Sequence, residues 1–216
     1  YYHSEINVCL LNTSLPTHII YTSIGIDFDG NIKFPYGDDI QILSELNFLD
    51  KTQQMQPDMK ILVSFSDIDD IQQRPFNAML SSHAARKNFA KNVVGFCKKC
   101  NLDGVDLNYQ RPNKQNRDNF VDLLKRIKEL MHSLIHIETL HSSSFNIFMF
   151  SDTADPHTLS VTLNGGALHK YKLKEISKKS KFTNLMTFDL ENPKIDVIGI
   201  DWAVNICITE GVHLNK

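Results

Sequence analysis

Apolar and polar positions recur along the chain with two different periods, one typical of strands and one typical of helices, and the two kinds of segment alternate. Short runs rich in β-branched and apolar residues predict strands at 17–27, 60–66, 102–110, 158–166 and 181–190. Longer stretches with apolar residues three or four positions apart predict helices at 38–56, 82–101, about 115–134, 172–180 and 200–211. The 216 residues are therefore expected to form a single α/β domain, residues 1–216.

The strand in "GVDLNYQ" differs from the others because one of its faces is polar throughout. Successive side chains of a strand point to opposite faces, so alternate residues share a face. The apolar face holds Val105, Leu107 and Tyr109, and the opposite face holds Asp106, Asn108 and Gln110. A carboxylate followed by two neutral carboxamides marks this polar face as a candidate site.

The alternation of strand and helix predicts a parallel sheet, and the run "HIIYTSIGI" is typical of a sheet covered on both faces. Two architectures satisfy this pattern, a (β/α) barrel and a doubly wound open sheet. A doubly wound nucleotide-binding fold has G-x-G-x-x-G after its first strand or a P-loop, and the sequence contains neither motif. The polar face favours the barrel, because barrel active sites lie at the carboxyl ends of the strands.

Composition and charge exclude several classes of protein. Hydrophobic residues make up 42% of the chain and charged residues 22%, which is typical of a globular protein. The formal net charge of −2 predicts neither nucleic acid nor a membrane as partner. Cys97 and Cys100 form a C-x-x-C pair, but Cys9 and Cys207 do not supply the second close pair of a zinc site, so no metal and no cofactor is predicted.

Four blocks of the sequence, in order, resemble the family 18 glycoside hydrolases, which comprise chitinases and chitinase-like lectins. "DGVDLNYQ" is similar to the family's D-G-x-D-x-D-x-E strand, and "KILVSFSD" lies where the family has S-x-G-G. "FTNLMTFDL" resembles the M-x-Y-D strand, and "IDWAVNICITEGVHLNK" resembles the helix before the seventh strand. The resemblance implies an incomplete (β/α)8 TIM barrel of about strands 1 to 6, truncated at both ends, which begins in the tail of the first strand at "YY".

The resemblance also implies catalytic roles, and three of those positions carry other residues here. In this family the sugar's own N-acetyl oxygen attacks the anomeric carbon, a glutamic acid protonates the leaving oxygen, and a neighbouring aspartate orients the N-acetyl group. The acid position is Gln110 and the aspartate position is Asn108, and carboxamides neither give up a proton near neutral pH nor carry charge. The tyrosine of M-x-Y-D is Phe188, whereas Met186 and Asp189 match the motif.

Several other positions have a structural interpretation beside the functional one. Asp106 is interpreted as a hydrogen-bonded core carboxylate that holds Asn108 in place, and Asp103 as a turn residue. The glycines of S-x-G-G are replaced by Ser66 and Asp67. Candidate rings for stacking on sugars are Tyr2, Phe28 and Tyr36, whereas Trp202 is expected to pack a helix on the barrel. The candidate substrate-binding residues are therefore Asp106, Asn108, Gln110, Met186, Phe188 and Asp189.

Three functions follow from these positions. The first is a non-catalytic, secreted, chitinase-like protein that binds chitin or N-acetylglucosamine-containing glycans, with the sequon Asn12-Thr13-Ser14 as a further hint of secretion. The second is a decayed barrel that serves as a protein-interaction or structural module without sugar binding. The third, a hydrolase with a displaced acid, is disfavoured because Arg111 and Pro112 follow Gln110 and no carboxylate does.

Overall fold

The computed structural model describes residues 17–34, 43, 58–66, 70–141, 157–186, 197–210 and 212. The strands are β1 (His18–Ile26), β2 (Ile32–Lys33), β3 (Lys60–Ser66), β4 (Gly104–Tyr109), β5 (Thr158–Asn164) and β6 (Phe182–Met186). The helices are α1 (Asp70–Ser81), α2 (His83–Lys99), α3 (Arg117–His141), α4 (Leu173–Lys179) and α5 (Val197–Thr209), with short 3₁₀ turns at Lys114–Asn116 and Gly165–Lys170. No helix among these residues is both long enough and apolar enough to cross a membrane.

The strands form one sheet in the order β2-β1-β3-β4-β5-β6. Strand β2 is antiparallel to β1, and the other neighbouring pairs are parallel. A flat sheet would separate β1 from β6, four strands away, by about 19 Å. The rings of His18 on β1 and Phe182 on β6 are nevertheless 5.2 Å apart, centroid to centroid, so the sheet is strongly curled. Five parallel strands thus form the wall of a partial barrel.

The outer face of the sheet packs against helices through aromatic side chains. Tyr109 on β4 stacks on Phe76 of α1 with 5.4 Å between ring centroids, and it contacts Phe120 of α3 at 5.0 Å. Phe65 on β3 meets Phe89 of α2 edge-on at 5.3 Å. All five rings are at most 1% exposed. Tyr109 therefore faces the helices, as predicted, and the polar residues beside it in sequence face the barrel interior.

The helix and strand predictions hold for most of the described chain, with three main differences. Helix α1 was not predicted; its buried Phe76, Met79 and Leu80 lie at helical spacing, but Pro75 interrupts the pattern. Helix α3 continues to His141, beyond the predicted end at about 134. Strand β5 ends at Asn164 instead of 166, because the following glycines begin a 3₁₀ turn. The predicted helix at 38–56 lies, except for residue 43, outside the described residues, as do 187–190 of the last strand.

A hairpin follows β1, and it lies against helix α2. The Asp27 carboxylate accepts from the backbone N–H groups of Asp29 (3.0 Å) and Asn31 (2.8 Å), and Gly30 turns the chain at a φ of 80°. Asn88 of α2 donates to the Asp29 carbonyl at 2.9 Å. Phe28 at the tip is 58% exposed. The hairpin therefore lies against α2, with the ring of Phe28 exposed.

The start of β4 is anchored to the strands on both sides. The Asp103 carboxylate accepts from Lys60 Nζ (3.0 Å) and from the backbone N–H of Ile61 (2.8 Å), both on β3. On the other side, Gly104 lies so close to β5 that a β-carbon at this position would be 1.9 Å from the Thr158 carbonyl oxygen. Asp103 is thus a tether between strands, and these contacts fix the register that places the polar face of β4.

Candidate functional site

Asp106 lies in the barrel interior and is held by hydroxyl groups from both neighbouring strands. Its carboxylate accepts from Ser64 Oγ on β3 at 2.9 Å and from Ser160 Oγ on β5 at 2.7 Å. Thr162 Oγ1 lies 3.0 and 2.9 Å from its two oxygens. The side chain is 1% exposed. The interpretation as a hydrogen-bonded core carboxylate is therefore right, but its partners are these hydroxyls and not Asn108.

Burial controls the ionisation of this carboxyl group. Removal from water raises the pKa of Asp106, and the hydrogen bonds from Ser160, Ser64 and Thr162 offset that rise only in part. Hydroxyl donors stabilise a carboxylate less than a neighbouring cation would. Asp106 is thus a structural anchor whose oxygens are already engaged.

The two carboxamides above Asp106 are hydrogen-bonded to each other. Gln110 Nε2 donates to Asn108 Oδ1. Asn108 is 7% exposed and Gln110 is 5% exposed, so the pair is buried near the carboxyl end of β4. Their direct contact confirms that positions 108 and 110 share the inner face, as the alternation predicted.

The neighbouring strand β5 holds the end of β4 in place. Asn164 Nδ2 donates to the backbone carbonyl of Gln110 at 3.1 Å, and Asn164 Oδ1 accepts from the Gly166 N–H at 2.8 Å. Tyr171 Oη lies 3.1 Å from the Asn164 backbone N–H and donates to the Tyr109 carbonyl oxygen. These bonds fix the backbone on which the Gln110 amide is carried.

Strand β6 contributes a further amide and one of the predicted residues. Asn184 Nδ2 donates to Thr162 Oγ1 at 3.2 Å, which extends the network from Asp106 to a third strand. Met186 is half-buried and pairs in register with Asn164, so it lies at the same end of the sheet as Gln110. The predicted residues Phe188 and Asp189 lie outside the described residues.

The arrangement brings carboxamide and hydroxyl groups together around one buried carboxyl group, that of Asp106. The position that resembles the acid holds Gln110, whose amide is engaged with Asn108. Arg111, the next residue, is exposed and donates to Gln73 of α1 at 3.2 Å. Among the described residues, no cluster of three or more His, Cys, Asp or Glu side chains could hold a metal ion.

The cysteines of the C-x-x-C pair have ordinary structural surroundings. Cys97 is buried on α2, and burial raises the pKa of its thiol to about 12. Burial also raises the pKa of Cys100 and of Cys207, and all three thiols are free. Thiols that stay protonated near neutral pH are poor nucleophiles and poor metal ligands. Cys9 lies outside the described residues.

Sequence reasoning missed the polar residues that surround the polar face of β4. They are Ser64, Ser160, Thr162, Asn164 and Asn184. A signal for them exists, because β5 alternates polar and apolar positions in "TLSVTLN" just as β4 does in "GVDLNY". However, strands with alternating serine or threonine residues are common. The alternation in β5 therefore points to a site only if a carboxylate on the next strand is known to accept from these hydroxyls.

A curled parallel sheet with polar residues near the carboxyl ends of its strands defines a protein of the parallel α/β barrel class, in which this end is the usual place of the site. The chain belongs to the glycosyl hydrolases of family 18, whose family model matches residues 1–213. The predicted fold, an incomplete (β/α)8 barrel of that family, is confirmed.

Proteins with similar sequences include chitinases and a chitinase-like protein. Chitinase B of Serratia marcescens is 26% identical over 189 residues, which is 82% of this chain and 35% of that protein. Chitinase-3-like protein 2 of Homo sapiens is 22% identical over 178 residues, 81% of this chain and 41% of that protein. The chain therefore spans well under half the length of these relatives.

Solved structures share the fold at low identity. Catalytic domain 2 of the Group II chitinase of Ostrinia furnacalis superposes with a TM-score of 0.72 at 18% identity, covering 94% of this chain and 55% of that one. Human YKL-39, described as a pseudo-chitinase with retained chitooligosaccharide binding properties, superposes with a TM-score of 0.68 at 17% identity, covering 91% and 56%. The chain spans a little over half of each.

Proposed function

We propose that this chain is a non-catalytic, chitinase-like protein that binds N-acetylglucosamine oligomers at the carboxyl end of its barrel strands. The observation that carries the proposal is the hydrogen bond between the carboxamides of Gln110 and Asn108. These two positions resemble those of the family's acid and its neighbouring aspartate, and both hold neutral amides. A carboxamide keeps the hydrogen-bonding shape of a carboxyl group but has no acidic proton to transfer.

Asp106 does not replace the missing acid. Its carboxyl group is 1% exposed and hydrogen-bonded to hydroxyls on two neighbouring strands. A general acid must come within about 3 Å of the leaving oxygen, whereas this group lies four residues before Gln110 on the same strand and its oxygens already accept hydrogen bonds. The loss of one positioned acid typically costs about a hundred- to ten-thousand-fold in rate.

Sugar binding is supported by two features. The amide groups of Asn108 and Gln110, near the carboxyl end of β4, are neutral, which suits uncharged, hydroxyl- and amide-bearing ligands. A structural relative, human YKL-39, is described as a pseudo-chitinase that retains chitooligosaccharide binding. We also propose an extracellular location, on the grounds of the sequon at Asn12 and the family.

We predict no turnover of chitin-derived substrates. Incubation with a fluorogenic chitobioside should release no more fluorophore than buffer does, because no acid is available at position 110. The control is the Gln110→Ala variant, which should behave identically. Release that exceeds buffer and is abolished in Gln110→Ala would contradict the assignment.

Binding is tested separately by titrating the protein with N-acetylglucosamine tetramer in a calorimeter. A saturable heat signal that is lost when Asn108 and Gln110 are both replaced by Ala supports the proposed site. No binding at any accessible concentration would instead favour a barrel that serves as a protein-interaction or structural module.

A further inference from the structure

The surface around helix α4 carries a dense run of lysines. Residues 169–181 include six lysines and one glutamate, a net charge of +5, whereas the whole chain carries −2, so the rest of the chain carries −7. All six lysines are half-buried or exposed. They form what we call the lysine strip: Lys170, Lys172, Lys174, Lys178, Lys179 and Lys181. Positive charge is therefore concentrated on one part of an otherwise acidic protein.

Acidic neighbours neutralise only part of the lysine strip. Lys172 forms an ion pair with Asp118 of α3, and Lys178 forms one with Glu175 on the same helix, at 3.1 Å. The other four lysines of the strip form no ion pair within the described part of the chain. Their charges are therefore available to a negatively charged partner.

The stability of α4 does not explain these lysines. The helix spans Leu173–Lys179, and Lys172 is its N-cap. Cations near the start of a helix oppose the helix dipole, so Lys172 and Lys174 are unfavourably placed, whereas Lys178 and Lys179 in the last turn are favoured. Because lysines are present at both ends of the helix, their common property is the charge that they give to the surface.

The positive charge continues beyond α4 to the amino end of the sheet. Lys181 precedes β6, and its backbone N–H donates to the Leu159 carbonyl at 2.8 Å. Burial, and then the charges of Lys181 and Lys60, lower the pKa of His18 on β1, against the opposing charge of Asp103. The lysine strip thus runs along one side of the barrel, from the turn that follows β5 to the start of β6.

We propose that the lysine strip binds a linear sulfated polysaccharide. Lys174 and Lys178 are one helical turn apart, so their β-carbons are about 5–6 Å apart, and their flexible stems can follow anionic groups along a chain. Single-stranded nucleic acid sites add aromatic rings on which bases stack, whereas the aromatic ring of residues 169–181, that of Tyr171, is buried. Sulfated polysaccharides are extracellular, which agrees with the location proposed above.

The test is a titration of a fluorescein-labelled heparin octasaccharide, followed by fluorescence anisotropy at about 50 and 150 mM sodium chloride. The unaltered chain should bind saturably and more weakly at the higher salt concentration, because binding releases counterions. The triple variant Lys174→Gln, Lys178→Gln, Lys181→Gln should bind at least about tenfold more weakly at the lower salt concentration. The same three positions changed to Arg keep their charge and should keep the affinity.

The matched control is the triple variant Lys87→Gln, Lys91→Gln, Lys99→Gln on α2. These three lysines are also exposed, and the net charge changes by the same amount. The control should bind the octasaccharide as the unaltered chain does. Circular dichroism checks that each variant keeps the melting temperature of the unaltered chain.

Four results would overturn the proposal. The first is that the unaltered chain does not bind the octasaccharide. The second is an equal loss of affinity in the α2 control, which would mean that binding follows net charge and not the lysine strip. The third is equally tight binding of a labelled DNA duplex, which would make the strip a general polyanion surface. The fourth is displacement of the octasaccharide by N-acetylglucosamine tetramer, which would place both ligands in one site.

Discussion

Asp106 is a carboxyl group whose described hydrogen bonds all come from hydroxyls. Burial raises its pKa above that of the unfolded chain, so the fold binds the protonated form more tightly than the ionised form. Its contribution to stability is therefore fully present below the unfolded pKa and is lost as the pH rises through the folded pKa. The three hydroxyls of Ser64, Ser160 and Thr162 limit that loss, because they stabilise the carboxylate in the ionised state.

Replacing Asp106 by Asn should remove this pH dependence. The amide also places an N–H group among hydroxyl donors, which we expect to cost about 1–3 kcal/mol. The midpoint of thermal unfolding, followed by circular dichroism, should therefore differ more between the unaltered chain and Asp106→Asn at pH 4 than at pH 7. Asp58→Asn, at an exposed turn position, is the control for the change in net charge. A difference that grows towards pH 7 would mean that the ionised form is the one the fold prefers.

At the scale of elements, strand β4 is positioned by a contact that only glycine permits. A β-carbon at Gly104 would lie 1.9 Å from the Thr158 carbonyl oxygen and 2.7 Å from its backbone nitrogen. Both atoms belong to the β5 backbone, so relief requires the two strands to move apart. That movement would disturb the hydrogen bonds that Asp106 receives from Ser160 and Thr162.

Gly104→Ala should destabilise the protein by at least about 3 kcal/mol or prevent folding, at the upper end of overpacking costs. The matched control is Gly95→Ala in the middle of α2, where a β-carbon meets no atom within 4 Å. Alanine is the better helix former there, so the control should gain roughly 0.5–1 kcal/mol. Urea unfolding measures both. Equal stability of Gly104→Ala and the unaltered chain would show that the two strands are not packed this closely.

Most elements could be predicted because their apolar period matches the face they bury. Helices α2 and α3 and strands β3 to β5 follow this rule. Helix α1 could not be predicted because Pro75 lies inside it. Proline has no backbone N–H to donate to the helical hydrogen-bond pattern, so a proline normally argues against a helix at that position. Tertiary packing of Phe76 against Tyr109 outweighs that local preference.

The site could be predicted only in part. Asp106, Asn108 and Gln110 stand out because carboxyl and carboxamide groups are rare on buried strand faces. Which partner each one has does not follow from the strand alone. Asp106 was expected to hold Asn108, but the registers of β3 and β5 bring three hydroxyls to it instead. Inter-strand register depends on contacts far apart in the chain, such as Asp103 with Lys60.

At the scale of the whole molecule, restoring catalysis should require several changes together. Gln110→Glu alone returns an acid, but Asn108 stays uncharged and Phe188 offers no hydroxyl to the N-acetyl group. A lone acid facing a poorly oriented sugar should do little, since orientation accounts for several kcal/mol of barrier lowering. In a protein extended through the eighth barrel strand, we therefore expect activity on a fluorogenic chitobioside from the triple variant Gln110→Glu, Asn108→Asp, Phe188→Tyr and none from Gln110→Glu. Equal activity in both variants would show that Asn108 and Phe188 do not have the roles assigned to them.

The contact between the rings of His18 and Phe182 has a consequence for how the chain reaches its native state. The two residues lie 164 positions apart in sequence but 5.2 Å apart in space. Joining such distant segments costs loop-closure entropy. The stabilisation from the contact offsets that cost only after the intervening strands have paired. Strand β6 is half-buried along its whole length, whereas β4 is fully buried. Amide hydrogens of β6 should therefore exchange with solvent well before those of β4, and the curled sheet should open from this strand inwards.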